Sequence, residues 1–438
     1  MKRVLVITYY WPPAGGSGVQ RWVKFSKYLP SEGWQPVIYT PENPEMQSED
    51  SSLGADVPPQ AEVIRRPITE IYSLYRRFTG KSASRSQVNM VNAQKKSLAG
   101  RLMMWARGKF FVPDPRVSWV RPSVKFLKKY LREHPVDVIV STGPPHSMHL
   151  IAQKVSLATG IPWISDFRDP WTKIFYFKHL HLSSRTVRKH ERLEKSVLDG
   201  STAVIAVSPL VQEEFREMTS TPVELITNGF DPEDYAGEKE TAKEFFIICH
   251  TGQFAADGNP DVLWKVLAGK AAEDDKFANK LRIRLAGVSD EEVLSSIREA
   301  GLGENLVDLG YVDHGTAVRE QCGASVLILP LRKEPEYRAT LPGKLFEYLG
   351  AGRPILGIGQ TDGAMARVVA DAGAGMTADW SDQDAISSYI DRAWEAFLND
   401  SCHLGSDGLF PGGNIDAYSR KKTTACLAAL LDKVTSHE

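Results

Sequence analysis

Short runs of β-branched and aliphatic residues recur along the chain, and between them apolar positions fall three and four apart. Arg3–Thr8 (RVLVIT) is such a run; after the glycine-rich stretch Ala14–Gly18, residues Val19, Trp22, Val23, Phe25 and Leu29 keep helical spacing up to Gly33. Pro36–Thr40 supplies the next run, so the opening predicts strand, glycine loop, helix, strand. Further strands are predicted at Val136–Ser141, Pro162–Asp166, Ala203–Ser208 and Val223–Thr227, with helices over Pro122–Glu133 and Thr186–Leu198. The pattern restarts at Phe245–Thr251, with a helix from Asp261 and strands at Leu281–Ala286, Val307–Gly310, Val326–Leu331 and Pro354–Ile358. Strands alternating with helices are joined by crossovers, which make the strands parallel. The prediction is therefore an α/β chain of two doubly wound domains. The polar, acidic stretch Asp231–Glu244 reads as a linker, giving a first domain over 1–236, a second over 237–413 and a terminal segment, 414–438, with a helix at Asp416–Val434.

At 438 residues the chain exceeds what one ordinary core organises, in line with two domains. Cys249, Cys322, Cys402 and Cys426 form no CxxC or Cys/His ladder, so neither a disulfide framework nor a zinc site is expected. The opening MKRVLVITYYWPP reaches aromatic and proline residues too soon for a secretory leader, and no apolar stretch approaches the ~20 residues that span a bilayer. A cytoplasmic location is expected.

Charge changes the picture more. The formal net charge is −1, yet residues 1–230 hold 32 Lys plus Arg against 20 Asp plus Glu, and the remainder holds 21 against 34. From Arg76 to Arg132 the only acid is Asp114. Such a field attracts phosphates or an acidic lipid surface. Leu102, Met103, Met104, Trp105, Phe110 and Phe111, set among Arg101, Arg107 and Lys109, suit an interfacial helix, so peripheral association with an anionic membrane is predicted. The plainer alternative is core and solvated edge. A non-catalytic polyanion binder is a rival reading, but neither interleaved aromatic residues and cations nor a helix-turn-helix speaks for nucleic acid.

Three stretches carry chemistry. In Pro12–Gly18, glycines after the first strand let backbone amides approach a ligand, and the following helix turns its positive end toward an anion; Gly15 and Gly16 are the candidates. The loop is not GxGxxG, which weakens a dinucleotide reading. Ser141–His146 and Asp166–Trp171 end consecutive predicted strands, where ligands of open α/β sheets bind. His146 and Asp169 become catalytic candidates for holding an acceptor hydroxyl, with Asp166 and Arg168 beside them; each could equally be structural. In Leu331–Gly357, the cations Arg332, Arg338 and Lys344 precede or open a short helix that begins after Leu341-Pro342 and carries Glu347. Cations and helix amides suit a diphosphate, and a carboxylate one turn inside suits ribose hydroxyls.

On these residues the chain resembles the retaining GT-B glycosyltransferases of family 4 over nearly its whole length. Tyr10–Gly18 is similar to the family's first glycine loop, Asn228-Gly229-Phe230-Asp231 to its Asn-Gly-Val-Asp, His250-Thr251-Gly252 to its nucleotide-proximal strand end, and Lys344–Leu349 with Gly352-Arg353-Pro354 to its donor-binding helix. The resemblance implies two Rossmann-like domains facing each other across a cleft, and a terminal helix that returns to the first domain. It implies a nucleotide sugar (UDP-, GDP- or similar) as donor and a hydroxyl acceptor. It also implies that the diphosphate is held by helix ends and cations, with no metal and no other cofactor. Asn228, Gly252, Arg338, Leu341 and Glu347 would bind the donor, and Arg332 and Lys344 would stabilise the leaving diphosphate. Two positions depart from the family. Ala339 stands where the first glutamate of a Glu-x7-Glu pair is expected, and Gln253–Asp257 replaces an Arg and a Lys. Arg332, Arg338 or Lys344 would supply that charge. A nucleotide-sugar epimerase of the same plan is the enzymatic alternative.

Overall fold

A computed structural model describes residues 1–46, 49–50, 52–69, 111–180, 182–237 and 244–436. They form two compact units, Met1–Thr227 with Thr423–Glu438, and Asn228–Lys422.

The first unit holds a seven-stranded sheet: β1 (Lys2–Ile7), β2 (Trp34–Pro41), β3 (Glu62–Arg66), β4 (Val138–Gly143), β5 (Trp163–Phe167), β6 (Ala203–Ala206) and β7 (Val223–Leu225), in the order β3-β2-β1-β4-β5-β6-β7. Every pairing is parallel. The order reverses between β1 and β4, so the switch point lies where the glycine loop after β1 meets the loop after β4. Val4, Val6, Val138, Val140, Ile164 and Ile205 turn to one face, against Trp22, Val23 and Phe25 of the helix Ser17–Tyr28. Leu427, Leu430 and Leu431 of the terminal helix Arg420–Thr435 complete that same core.

The second unit repeats the plan with six strands: β8 (Phe246–Thr251), β9 (Leu281–Ala286), β10 (Leu306–Gly310), β11 (Val326–Pro330), β12 (Ile355–Ile358) and β13 (Gly375–Ala378), in the order β10-β9-β8-β11-β12-β13. The side-chain period of two is explicit: Phe246, Ile248, Val326 and Ile328 enter one core, and Ile247, Cys249, Leu327 and Leu329 enter the core on the opposite face. Both faces are covered by helices, and so the strands read as continuous apolar runs in the sequence.

Two strands escape the sequence reading. β3 is an edge strand with three half-buried and two exposed positions and ends in two arginines; β13 is an edge strand of Gly-Met-Thr-Ala. Neither carries an apolar run, because apart from Ala378 their side chains are only half-buried or exposed. The boundary also moves, from 236 to 227. Phe230 and Tyr235 pack into the second unit's core, and the Phe230 N–H donates to the Tyr418 carbonyl (3.1 Å) while the Arg420 N–H donates to Phe230 (2.7 Å). Polar composition hid those anchors. The last segment divides correspondingly, with 414–422 in the second unit and 423–438 in the first. Most of the basic run, including Leu102–Phe110, lies outside the described residues. Among the described residues no helix is long and apolar enough to cross a membrane.

Candidate functional site

In the second unit the chemistry gathers at the carboxyl end of β8. Gly252 follows that strand with φ +99°, a conformation that side chains other than glycine's rarely adopt, and a Cβ there would lie 2.8 Å from Lys344 Cε. The glycine thus lets the Lys344 side chain lie across the strand end. Lys344 opens the helix Gly343–Ala351, which begins at Pro342 with no side-chain cap, so its first amides remain available to an anion. Lys344 Nζ donates to Glu347 Oε2 (2.8 Å), and Gln321 Nε2 donates to the same oxygen (2.9 Å) and to Thr251 Oγ1 (2.9 Å). Next along the helix, Tyr348 Oη accepts from the Thr251 N–H (2.9 Å). Strand end, helix and carboxylate are therefore one hydrogen-bonded assembly. His314 stands 3.7 Å from Asp234, whose hydrogen bond raises the imidazole's pKa above its ordinary value.

The other two cations have different partners. Arg332 pairs with Asp257 (2.9 Å) on the loop after β8, and burial raises the Asp257 pKa against the pull of Arg332. Arg338 pairs with Asp362 (2.8 Å), both well exposed. Solvent screens such exposed pairs, so they contribute little.

In the first unit, the helix Ser17–Tyr28 also begins without a side-chain cap, directly after Gly16 (φ +95°) at the end of the β1 loop. Beside it, at the ends of β4 and β5, lies a group of imidazoles and aromatic rings. His146 stacks on Trp171 with ring centroids 4.3 Å apart, and Trp171 Nε1 donates to His190 Nδ1 (3.1 Å). Glu194 fixes the Trp171–Thr172 turn by accepting from both backbone amides and from Thr172 Oγ1. His149 shares a 2.8 Å hydrogen bond with Ser141 Oγ through Nδ1. His146 Nδ1 and His149 Nε2 are buried without a hydrogen-bond partner among the described residues. Both approach Gly143, where a Cβ would come within 3.2 Å and 2.5 Å of them. Burial drives His146 well below the ordinary imidazole value, His149 down to about 3 and His190 down to about 4, so all three are neutral at pH 7.

Asp169 is half-buried and has no hydrogen-bond or ion-pair partner among the described residues; burial raises its pKa to about 6 against the pull of Arg168. Arg168 bridges the first turn of the helix Ser17–Tyr28 and the loop after β4, donating to the Gly18 carbonyl (2.8 Å) and to the Pro144 carbonyl. Asp114, the lone acid of the basic run, accepts from Ser147 N and Ser147 Oγ, each at 2.8 Å, and so caps the helix that His146 leads into.

Family comparison places these residues in context. The family Glycosyltransferase Family 4 matches residues 92–234 and the family Glycosyl transferases group 1 matches residues 246–396, together about two thirds of the chain. The chain belongs to the GT-B glycosyltransferases. Among solved structures, the sucrose-phosphate synthase of Thermosynechococcus elongatus superposes with a TM-score of 0.64 at 14% identity, covering 100% of both chains. S. aureus TarM, in complex with fondaparinux, α-GlcNAc-glycerol and UDP, gives 0.60 at 11% identity, covering 100% of both. The lipopolysaccharide outer core galactosyltransferase WaaB gives 0.58 at 12% identity, covering 99% of this chain and 100% of that one. At such identities the likeness is one of fold. No curated protein matches the sequence.

Within this glycosyltransferase, the structure sets Lys344 against Gly252 and hydrogen-bonds it to Glu347, with Leu341 half-buried beside that helix and Asn228 half-buried at the start of the same unit. Gly15 and Gly16 precede the uncapped first helix. His146, Arg168 and Asp169 share the ends of β4 and β5. Asp166 is a correction: expected on the acceptor side, it is completely buried and takes hydrogen bonds from Arg21, Trp22 Nε1 and Thr142 Oγ1. Burial works to raise its pKa, but Arg21 and these donors outweigh that and hold it below the ordinary value. Its carboxylate ties β5 to the first helix. Arg338 is tied to the exposed Asp362. Sequence reasoning missed Gln321, Tyr348, His149, His190 and Glu194. Tyr348 sits unremarked inside the donor-binding motif, the others lie inside helices whose apolar spacing reads simply as core, and only packing shows which polar atoms turn toward the strand ends.

Proposed function

We propose that this glycosyltransferase moves a sugar from a nucleoside diphosphate sugar to a hydroxyl acceptor with retention at the anomeric carbon. The observation that carries the reading is the Lys344–Glu347–Gln321–Thr251 assembly beside Gly252 at an uncapped helix end. Glu347, oriented by Gln321, accepts hydrogen bonds from the ribose hydroxyls. Lys344 and the first amides of Gly343–Ala351 receive the diphosphate, with Arg332 exchanging Asp257 for it. In the transfer step the bond between C1 and the diphosphate oxygen breaks, the acceptor oxygen bonds to C1 on the same face, and the acceptor proton passes to the departing phosphate. Preorganised positive charge lowers the barrier because it meets charge that grows as the bond breaks. On the first unit, neutral His146 and ionised Asp169 orient the acceptor hydroxyl. No metal is assigned to the step.

The acceptor is proposed to be a cell-envelope polysaccharide or glycolipid intermediate, carried on lipid, with the protein on the cytoplasmic face of a membrane. The basic excess of residues 1–230 and the fold likeness to a lipopolysaccharide galactosyltransferase support this reading. Nucleotide release from a panel of UDP and GDP sugars, with and without chelator, tests the donor and the metal, and NMR of the product's anomeric proton tests retention. Release unaffected by Glu347→Gln, or product of inverted configuration, would overturn the assignment.

A further inference from the structure

The helix Val120–Glu133 packs side by side with Ser147–Thr159 in the first unit. Arg121, Lys125, Lys128, Lys129 and Arg132 recur along it at steps of one, three and four, forming a single stripe about 16 Å long. With Lys154 of the neighbouring helix they line an open concavity of about 510 Å³. Among the described residues none of the six has an ion-pair partner, whereas Lys24, Lys195 and Lys433 elsewhere in the unit are paired with carboxylates. Six cations around one groove repel one another, so the surface gains most from a partner that brings many negative charges at once. Three residues beyond Lys154 on the same helix, Leu157 is 82% exposed. An aliphatic side chain standing free beside a cation stripe suits a boundary between headgroups and acyl chains.

We propose that this stripe, with Leu157 at its rim, docks the protein on an anionic lipid surface. The lysines and arginines lie among headgroup phosphates and Leu157 enters the acyl boundary. A field of headgroups fits better than a single phosphate ligand. The cations are spread along the helix, nearly all are exposed, and no buried donors converge on one point. The surface differs from the Leu102–Phe111 segment picked out in the sequence. It depends on the proposed lipid-linked acceptor for its purpose, not for its chemistry.

The test uses the full chain and sedimentation of vesicles of phosphatidylcholine alone or with roughly one third phosphatidylglycerol. Binding should require the anionic lipid and weaken with salt. At roughly fivefold per cation removed, the triple variant Lys125→Gln/Lys128→Gln/Lys129→Gln should bind on the order of a hundredfold more weakly, with thermal melt and nucleotide affinity unchanged. Leu157→Ser should weaken binding several-fold without altering its salt dependence. Absence of binding to anionic vesicles, or a triple variant that binds as the wild type does, would overturn the proposal. Saturable binding of inositol hexakisphosphate without vesicle binding would reassign the groove to a soluble polyphosphate and equally overturn it. A protein that binds vesicles yet releases nucleotide from no sugar donor keeps this surface and loses the transfer reading. The reverse result removes the surface alone.

Discussion

Glu347 takes hydrogen bonds from Lys344 and Gln321 on the same oxygen, which leaves its other oxygen to a ligand. Glu347→Gln keeps the shape and removes the charge, so nucleotide binding measured by calorimetry should weaken by roughly 1–3 kcal/mol, the worth of a charge-assisted hydrogen bond. Gly252→Ala forces a Cβ to within 2.8 Å of Lys344 Cε and strains a backbone at φ +99°; turnover should fall steeply while nucleotide affinity falls less, because Lys344 moves and Glu347 stays. Asp169 is different in kind, since burial rather than a partner sets its pKa near 6. If the ionised form orients the acceptor, kcat/KM for the acceptor should rise through pH 6 and level off above it. Asp169→Asn should abolish that rise together with most of the activity.

Among the elements, the helix Arg420–Thr435 contributes Leu427, Ala428, Leu430 and Leu431 to a core whose other buried members all lie at or before Ile226. Leu427→Ala should cost about 2–5 kcal/mol in denaturant unfolding, the usual range for a fully buried leucine, although the residue belongs to the end of the chain. β5 and the helix Ser17–Tyr28 are joined by the Asp166–Arg21 pair at 2.8 Å. Removing one partner leaves a buried charge uncompensated, so Asp166→Asn should destabilise the fold by about 3–5 kcal/mol. Acceptor KM, measured under conditions where the variant is folded, should change little. A large KM effect with intact stability would return Asp166 to the acceptor side.

Taken as a whole, the protein buries neutral imidazoles in both units. Folded-state values of about 3 for His149, and about 4 for His190 and His250, lie below the ordinary 6.5. The unfolded chain therefore binds more protons than the folded one in the window from pH 6.5 down to about 3. Stability contributed by these groups is complete above pH 6.5 and is lost as pH falls through that window. Asp169, Asp257 and Glu194, raised rather than lowered, act oppositely in the acid range, while Asp166, held low by Arg21, adds to the loss from the imidazoles. Denaturant midpoints should thus decline from pH 7 to pH 4, and His149→Asn, which preserves the Ser141 contact, should flatten the decline. Much of this architecture was legible in the residues alone. Strands buried on both faces read as continuous apolar runs, glycine loops and helix starts follow them at fixed distance, and the Lys344–Leu349 helix announces its chemistry because cation, carboxylate and helix end are neighbours in sequence. The edge strands β3 and β13 were not legible, since their side chains, apart from Ala378, are half-buried or exposed and need no apolar run. Nor was the fate of Asp166, because whether a carboxylate meets solvent or a buried arginine depends on Arg21, 145 positions earlier. The same holds for Gln321, His149 and Glu194. Sequence determines which elements form, through periodicities of two and 3.6 that need only near neighbours. Which polar atoms those elements aim at the strand ends, and which they spend on holding the fold together, is decided by long-range packing, where each partner comes from a different element.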